Sequence, residues 1–545
     1  MKLQHFLFAT AAIASSFGAA DAQSYAIRDA RIVTVSGPVI ERGTVVVRDG
    51  LIESVGADVK APADAQVFDG AGLTVYPGFI DAVTSLGLQA QPAAVPQPRG
   101  QGAPQPTPAS TNSNYPAGLR PEESAADDLR AGDAQFESSR NAGFTTAVTI
   151  GRSGIFNGRS VIIDLAGDST SAMIVKDAFA EHVSFNTLSG GYPGSLMGTF
   201  SSMRQMFLDA QRLQEIRKMY DANPRGMKRP SADAALDALI PLLDRKVPVV
   251  FNANREIEIV RALDLAREFN LKAIIAGGQE AWKIADRLKA QDVPVLLSLN
   301  FPKRTAAASP DADPESMELL RFRAETPKTA ARLAQAGVKF AFQSGGSTTA
   351  NDFFTNAGKS VEAGLAKDAA VRAMTLGAAE ILGIADRTGS IEAGKIANLA
   401  VVRGDVFGKD RYVSHVFVDG KYFEQKPAAA KKEAAASATA KTAAGFATVG
   451  GNYSVTIDVP GQTLTGTLAL TQQAATVSGS LQTQLGTAPV KDGKVTADGF
   501  TFTSTVDFGG STIEIHVKGT VIGNQISGTI DSPQGVVPFS GTRNP

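Results

Sequence analysis

Five near-continuous apolar runs dominate the middle of this chain: Thr145 to Ile150, Val247 to Asn252, Leu271 to Gly278, Val293 to Asn300 and Val338 to Gly346. A strand that is apolar on both faces must be covered on both faces, which is the condition of a parallel sheet. The segments between the runs have helical spacing. In "EIEIVRALDLAREFN" the apolar residues Ile257, Val260, Leu263 and Ala266 recur every third position, and "EAWKIADRLKAQ" does the same with Trp282, Ala285 and Leu288. "TPKTAARLAQAG" carries a Thr cap, a Pro at the first helical position and a closing Gly. This βα repeat, roughly every 20 to 25 residues, predicts an α/β fold with a (β/α)8 TIM-type barrel. A doubly wound open sheet is the alternative, but no G-x-G-x-x-G follows an early strand to support it.

The flanks read differently. Ser24 to Val75 contains short β-branched runs broken by Asp-Gly and Gly, which are hairpin signals. Residues 89–118 are a Pro-, Gln-, Ala- and Gly-rich insertion, read as a disordered segment with a lid as the second reading. An Ala/Lys linker spans 426–445. Residues 446–545 alternate polar and apolar positions between turn glycines, the pattern of a separate all-β domain, barrel or sandwich. Residues 1–22 have the charged start, apolar stretch and small-residue end of a secretory signal, predicting a periplasmic or secreted protein cleaved near Ala22. The apolar stretch is too short for a stable membrane span.

Composition narrows the chemistry. The chain has no cysteine, so disulfides, thiolate metal sites and thiol catalysis are excluded. A formal net charge of -1 gives no nucleic-acid footprint. Only four histidines occur, His5, His182, His415 and His516, and His5 belongs to the leader. Scarce histidine matters because it is the commonest metal ligand and general base.

The order of parts resembles the amidohydrolase superfamily, specifically the secreted imidazolonepropionase-like branch. "DGLIESVG" and "YPGFIDAVTSLGL" resemble the entry into the first barrel strand. "AAVRAMTLGAAEILGIADRTGSIEAGKIANLAVVRGDVF" and "VFVDGKYFE" resemble the C-terminal signature. The resemblance covers about residues 25 to 425. It implies a small β-domain built from 23–76 and 395–425 around a barrel at 77–394. It also implies hydrolysis of carbon–nitrogen bonds by one or two divalent metals. That chemistry uses a His-x-His after strand one, histidines ending strands five and six, and an Asp after strand eight. Here those positions fall on Val83 and Ser85, on Asn252, on Gly277 and on Gly345. None is a good metal ligand, so no cofactor is expected.

The remaining candidates are weaker. Asp81 ends the first strand and is a base, a cation ligand or, more simply, a residue fixing the turn. His182 is an acid/base or a structural histidine. Glu256, Glu258, Glu280 and Asp352 open helices and read as caps. "GRSGIFNGRSVII", with Arg152 and Arg159, is a Gly-rich turn or an anion cradle. Glycines in Thr187 to Thr199 suggest a surface loop. The expected pocket comprises Ser85, Arg152, Asn252, Asn254, Gln279 and Ser344, suited to a small polar ligand. The leading functional expectation is a metal-free pseudoenzyme or ligand-binding protein. The alternatives are a hydrolase working through Asp81 or His182, and a scaffold for a tail domain that binds glycan, lipid or a partner. A homo-oligomer or a partner protein is left open.

Overall fold

The computed structural model describes residues 24–88, 115, 118–151, 154–167, 169–187, 193–304, 315–346, 348–424 and, in the tail, 449–459, 462–483, 486–496, 499–508, 511–522, 525–532 and 535–543. The predicted leader, nearly all of the Pro-rich insertion, the linker and Arg152 lie outside them. Two compact units result, the first ending among the described residues at Glu424 and the second beginning at Val449.

The first unit opens with β1 (Ser24–Ile32), β2 (Ile40–Arg48), β3 (Leu51–Gly56), β4 (Gln66–Asp69) and β5 (Leu73–Pro77). The α/β region then supplies β6 (Phe79–Thr84), β7 (Phe144–Thr149), β8 (Phe156–Arg159), β9 (Val161–Asp164), β10 (Ile174–Lys176) and β11 (Glu181–Ser184). It continues with β12 (Val249–Ala253), β13 (Ala273–Gly277), β14 (Val295–Ser298) and β15 (Phe340–Gln343). The chain returns through β16 (Leu399–Arg403), β17 (Tyr412–Val418) and β18 (Lys421–Glu424). The first and last groups share one sheet, ordered β18-β17-β16-β5-β1-β2-β3 with β4 beside β1. Its central seam is the antiparallel pairing of Leu399–Arg403 with Leu73–Pro77.

The α/β region is built from two sheets, β10-β9-β7-β6 and β15-β14-β13-β12-β11-β8. Strands β11 to β15 are parallel neighbours, as are β6 and β7. An eightfold parallel ring is not what the ladders spell out. In place of one parallel strand the chain inserts β8, antiparallel to β11, and β9, antiparallel to β7. Only Ser160 separates β8 from β9, so the chain passes directly from the edge of one sheet into the other. At the other edge, the Gly345 N–H donates to the Val83 carbonyl at 3.0 Å, so β15 meets β6 at their C-terminal ends.

Alternation on the strands creates two apolar layers. Ile80, Val148, Val250, Ile274, Leu296 and Ala341 pack with one another on one face. Phe79, Phe144, Phe251, Ile275, Val295 and Phe342 face the helices on the other. Phe79 anchors the second layer through edge-on contacts with Phe144 and Phe354. Truncating so large a buried ring costs about 3–5 kcal/mol. Gly78 precedes it because a Cβ there would lie 2.1 Å from Thr145 Oγ1.

The helix Glu256–Glu268 forms, but its buried face is Ile259, Ala262, Leu263 and Ala266, while Ile257 is 55% exposed. The three-residue walk from Ile257 to Ala266 spans about two and a half turns, which puts its ends on opposite sides of the helix. Glu258 and Glu280 do cap: Glu258 Oε2 accepts from Asn254 N–H and Arg255 N–H, and Glu280 Oε2 accepts from Glu256 N–H.

The second unit is a closed eight-stranded antiparallel barrel in simple meander order between Gly451 and Arg543. Tyr453, Leu468, Phe500, Phe502, Val517 and Phe539 fill its interior. Closure leaves no unpaired edge. Among the described residues, no helix is long and apolar enough to cross a membrane.

One polar contact ties the α/β region to the returning chain. Asp164 Oδ1 accepts from Thr146 Oγ1 at 2.7 Å and from Asn398 Nδ2 at 3.0 Å, and the Asn398 side-chain oxygen accepts from Asp419 N–H. Burial pushes the Asp164 carboxyl up to about 7 despite these donors. A raised carboxyl favours the fold fully below its unfolded value, near 3.9, and loses that contribution as pH rises through about 7. Asp164→Asn keeps the acceptor and removes the titration. Urea denaturation of the variant is expected to show a gain over wild type at pH 8, of order 1–4 kcal/mol, that disappears by pH 4.

Candidate functional site

On each parallel strand an apolar inner residue is followed, two positions on, by a small or neutral polar one. Val250 precedes Asn252, Ile274 precedes Ala276, Leu296 precedes Ser298 and Ala341 precedes Gln343. Period-two alternation puts both members of each pair on one face. The second members, near the strands' C-terminal ends, line a cavity of about 500 Å³. Its polar side chains are Thr84, Ser85, Asn157, Ser184, Asn186, Asn252, Asn254, Ser298, Asn300 and Gln343, and among the described residues none that lines it is ionisable.

These groups hydrogen-bond one another. Ser184 Oγ accepts from Asn252 Nδ2 at 2.9 Å and from Asn157 Nδ2 at 3.2 Å. With both lone pairs used, the Ser184 hydroxyl proton is left to be donated. Among the described residues, Asn157 Oδ1 and Gln343 Oε1 are buried without a hydrogen-bond partner. A buried acceptor without a partner costs roughly 1–3 kcal/mol, so these two oxygens favour an incoming donor.

Val83, Ser85, Asn252, Gly277 and Gly345, scattered along the sequence, all line this one cavity. Gly277 and Gly345 have φ of +98° and +66°, the left-handed region that favours glycine. A Cβ on Gly277 would also lie 2.5 Å from Asn254 Oδ1. Asn254 therefore occupies the space that a side chain at 277 would need.

Of the expected pocket residues, Ser85, Asn252 and Asn254 line the cavity. Gln279 stands behind it, its Nε2 donating to the Asn300 carbonyl at 2.8 Å. Ser344 belongs to a neighbouring cavity with Asp81. Asp81 Oδ1 accepts from Ser344 N–H at 2.9 Å and from Val83 N–H at 3.4 Å, and burial pushes its carboxyl up to about 6. His182 is fully buried with Nε2 3.0 Å from Ser160 Oγ, and burial pushes it down to about 3, so the ring is neutral at physiological pH. It lines neither cavity. His415 packs against Tyr422 and Phe68, and His516 is exposed on a strand of the second unit. Asp352 follows the true cap, Thr349, whose Oγ1 accepts the Asp352 N–H.

Sequence reading missed Thr84, Asn157, Ser184, Asn186, Ser298, Asn300 and Gln343. The signal for Ser298 and Gln343 was a lone polar residue ending a buried strand, whereas Ser184 ends a strand that also carries Glu181 and His182. Asn157 gave no such signal, because its segment reads as a loop and is β8.

A family model for the Amidohydrolase family matches residues 320–423. No curated protein matches the chain. Among solved structures, an amidohydrolase from Thermotoga maritima MSB8 is similar with a TM-score of 0.62 and 25% identity, over 73% of this chain and 100% of that one. A Xaa-Pro dipeptidase with bound methionine in its active site has a TM-score of 0.43 and 17% identity, over 74% and 100% of the two chains. An adenosine deaminase from Xanthomonas campestris with bound zinc has 0.42 and 16%, over 74% and 94%.

The divalent metal implied by that resemblance does not fit the donors on this cavity. Val83, Gly277 and Gly345 offer no side-chain ligand, and Ser85 and Asn252 offer neutral oxygens that hold zinc poorly. Among the described residues, no three His, Cys, Asp or Glu side chains converge.

Gly277→Ala tests the cramped wall directly. The substitution combines a strained φ with a clash against Asn254, and chemical denaturation is expected to show a loss of about 1–3 kcal/mol. Gly277→Ala with Asn254→Gly should recover part of it.

Proposed function

We propose that the first unit is an amidohydrolase-type barrel whose mouth binds a small, uncharged, polar molecule, and that it does so without the metal centre of its relatives. The observation that carries this reading is the cavity itself: the five positions where the resemblance calls for metal ligands or the catalytic Asp meet in it as Val, Ser, Asn, Gly and Gly. On this reading β6, β7 and β11 to β15 supply the barrel's parallel strands, and β8 and β9, consecutive in sequence and each antiparallel to its neighbour, fill the remaining place.

The lining sets the ligand class. A volume near 500 Å³ suits a small molecule. The Ser184 hydroxyl is available as a donor, and Asn157 Oδ1 and Gln343 Oε1 as acceptors. A ligand carrying both donors and acceptors, such as an amide or a polyol, satisfies both kinds. Charge on the ligand would find no counter-charge here. The name of the Thermotoga relative suggests amide cleavage. In this mouth, however, among the described residues no lining side chain can accept a proton from water as a general base near neutral pH. Binding is therefore the function the geometry supports, with the amide retained as ligand rather than cleaved.

Two measurements test this. Elemental analysis of protein purified with added zinc and manganese is expected to find well under one equivalent; a stoichiometric, tightly held metal overturns the metal-free reading. A calorimetric screen of neutral amides and polyols is expected to yield a ligand whose affinity falls at least tenfold in Asn252→Ala and in Gln343→Leu. Turnover of that ligand by the wild type would return the protein to the hydrolases.

A further inference from the structure

Next to the mouth lies a second cavity, about 290 Å³, between β6, β7 and the helices Asp133–Asn141 and Ala350–Glu362. It shares Thr84, Ser85 and Gly346 with the mouth, but its chemistry is the opposite. Leu86, Phe144 and Phe353 form apolar walls, and one carboxyl, Asp81, stands among them.

Asp81 is 6% exposed. Two neutral backbone N–H groups donate to the same oxygen, Oδ1, and the Ser344 hydroxyl is a third, also neutral, hydrogen-bond partner of the carboxyl. Among the described residues no Lys, Arg or His lines the cavity and no ion pair includes Asp81. A carboxylate taken out of water is costly unless a cation accompanies it. A second group points the same way: Thr348 Oγ1, on the same wall, is buried with no hydrogen-bond partner among the described residues. The Ser139 hydroxyl completes a set of oxygens with no opposing charge.

We infer that this cavity is a site for a small organic ammonium ion, with Asp81 as its counter-ion and the apolar walls holding a short hydrocarbon chain. An ammonium group brings three donors, matched by the Asp81 carboxylate, Thr348 Oγ1 and Ser139 Oγ. A bare divalent cation is disfavoured because it requires several oxygen ligands, usually with more than one carboxylate, and among the described residues Asp81 is the only one lining the cavity. The volume is at the lower end for ligand cavities, about 300 Å³, which limits the chain to a few carbons. This inference does not rest on the reading of the mouth.

Isothermal calorimetry on the full chain decides it, with butylammonium chloride as probe and 1-butanol, sodium chloride and calcium chloride as comparisons. The wild type is expected to bind one butylammonium at least ten times more tightly than the alcohol, with no heat from either salt. Asp81→Asn keeps the Oδ1 acceptor for the two backbone donors and is expected to lose at least tenfold in ammonium affinity. Ser139→Leu, which fills the cavity and leaves the carboxyl in place, is expected to lose binding as well, and it decides the matter if Asp81→Asn does not fold. Asn252→Ala, in the mouth, should bind butylammonium like wild type, so failure of the mouth reading remains separable. Equal binding of amine and alcohol, preference for calcium, no binding by wild type, or undiminished binding by either cavity variant overturns the inference.

Discussion

The first unit depends on a seam between residues far apart in sequence. Asp81 Oδ1 accepts the Ser344 N–H across 263 positions, and the Gly345 N–H returns to the Val83 carbonyl. These bonds join the end of β6 to the end of β15 and so hold the two α/β sheets together at one edge. A hydrogen bond to a charged partner is worth about 1.5–3 kcal/mol net, which is substantial against the entropy of bringing such distant segments together. The same contacts place Val83, Ser85 and Gly345 on one wall. Whatever the mouth binds, its shape follows from a carboxyl that does not line it.

The mouth shows how a cavity stays polar without charge. The tops of the strands must present something to solvent, and here they present hydroxyls and amides that satisfy one another, as Asn157 and Asn252 do on Ser184. Such a network keeps its cost low because the Asn157 and Asn252 amides find an acceptor inside it. It is incomplete at Asn157 Oδ1 and Gln343 Oε1, buried acceptors without a hydrogen-bond partner among the described residues.

Much of this was legible from the residues. Val247–Asn252, Leu271–Gly278, Val293–Asn300 and Val338–Gly346 read as buried strands because they are apolar on both faces, and β12 to β15 lie within them. The pairing of Leu399–Arg403 with Leu73–Pro77 was implied by the resemblance, not by any local pattern. What escaped was set by tertiary partners. "GRSGIFNGRSVII" has the glycines of a loop, yet Phe156–Arg159 and Val161–Asp164 are strands because β11 and β7 offer them edges to pair with. Gln279 and Ser344 sit beside the right strand ends but turn toward Asn300 and Asp81, a choice no spacing rule encodes.

The layering on the inner face explains why the mouth's neutrality is self-consistent. Beneath the polar tier lie Val250, Ile274, Leu296 and Ala341, which leave no water below it. An ionised side chain in the tier would lose hydration on that side, and the penalty for an unpaired ion there is several kcal/mol. His182 shows the result one step further down: on the same face of β11 as Ser184, it is held uncharged by burial, far below its usual titration range. A single histidine returned to the tier would feel part of that pressure, and one neutral ligand does not make a metal centre. Several anionic or imidazole ligands must arrive together, each lowering the cost of the cation for the others. At Gly277 the backbone adds its own constraint, because φ is +98° and a Cβ would lie 2.5 Å from Asn254 Oδ1. At Gly277, then, the backbone and the neighbouring Asn254 side chain act together to favour glycine.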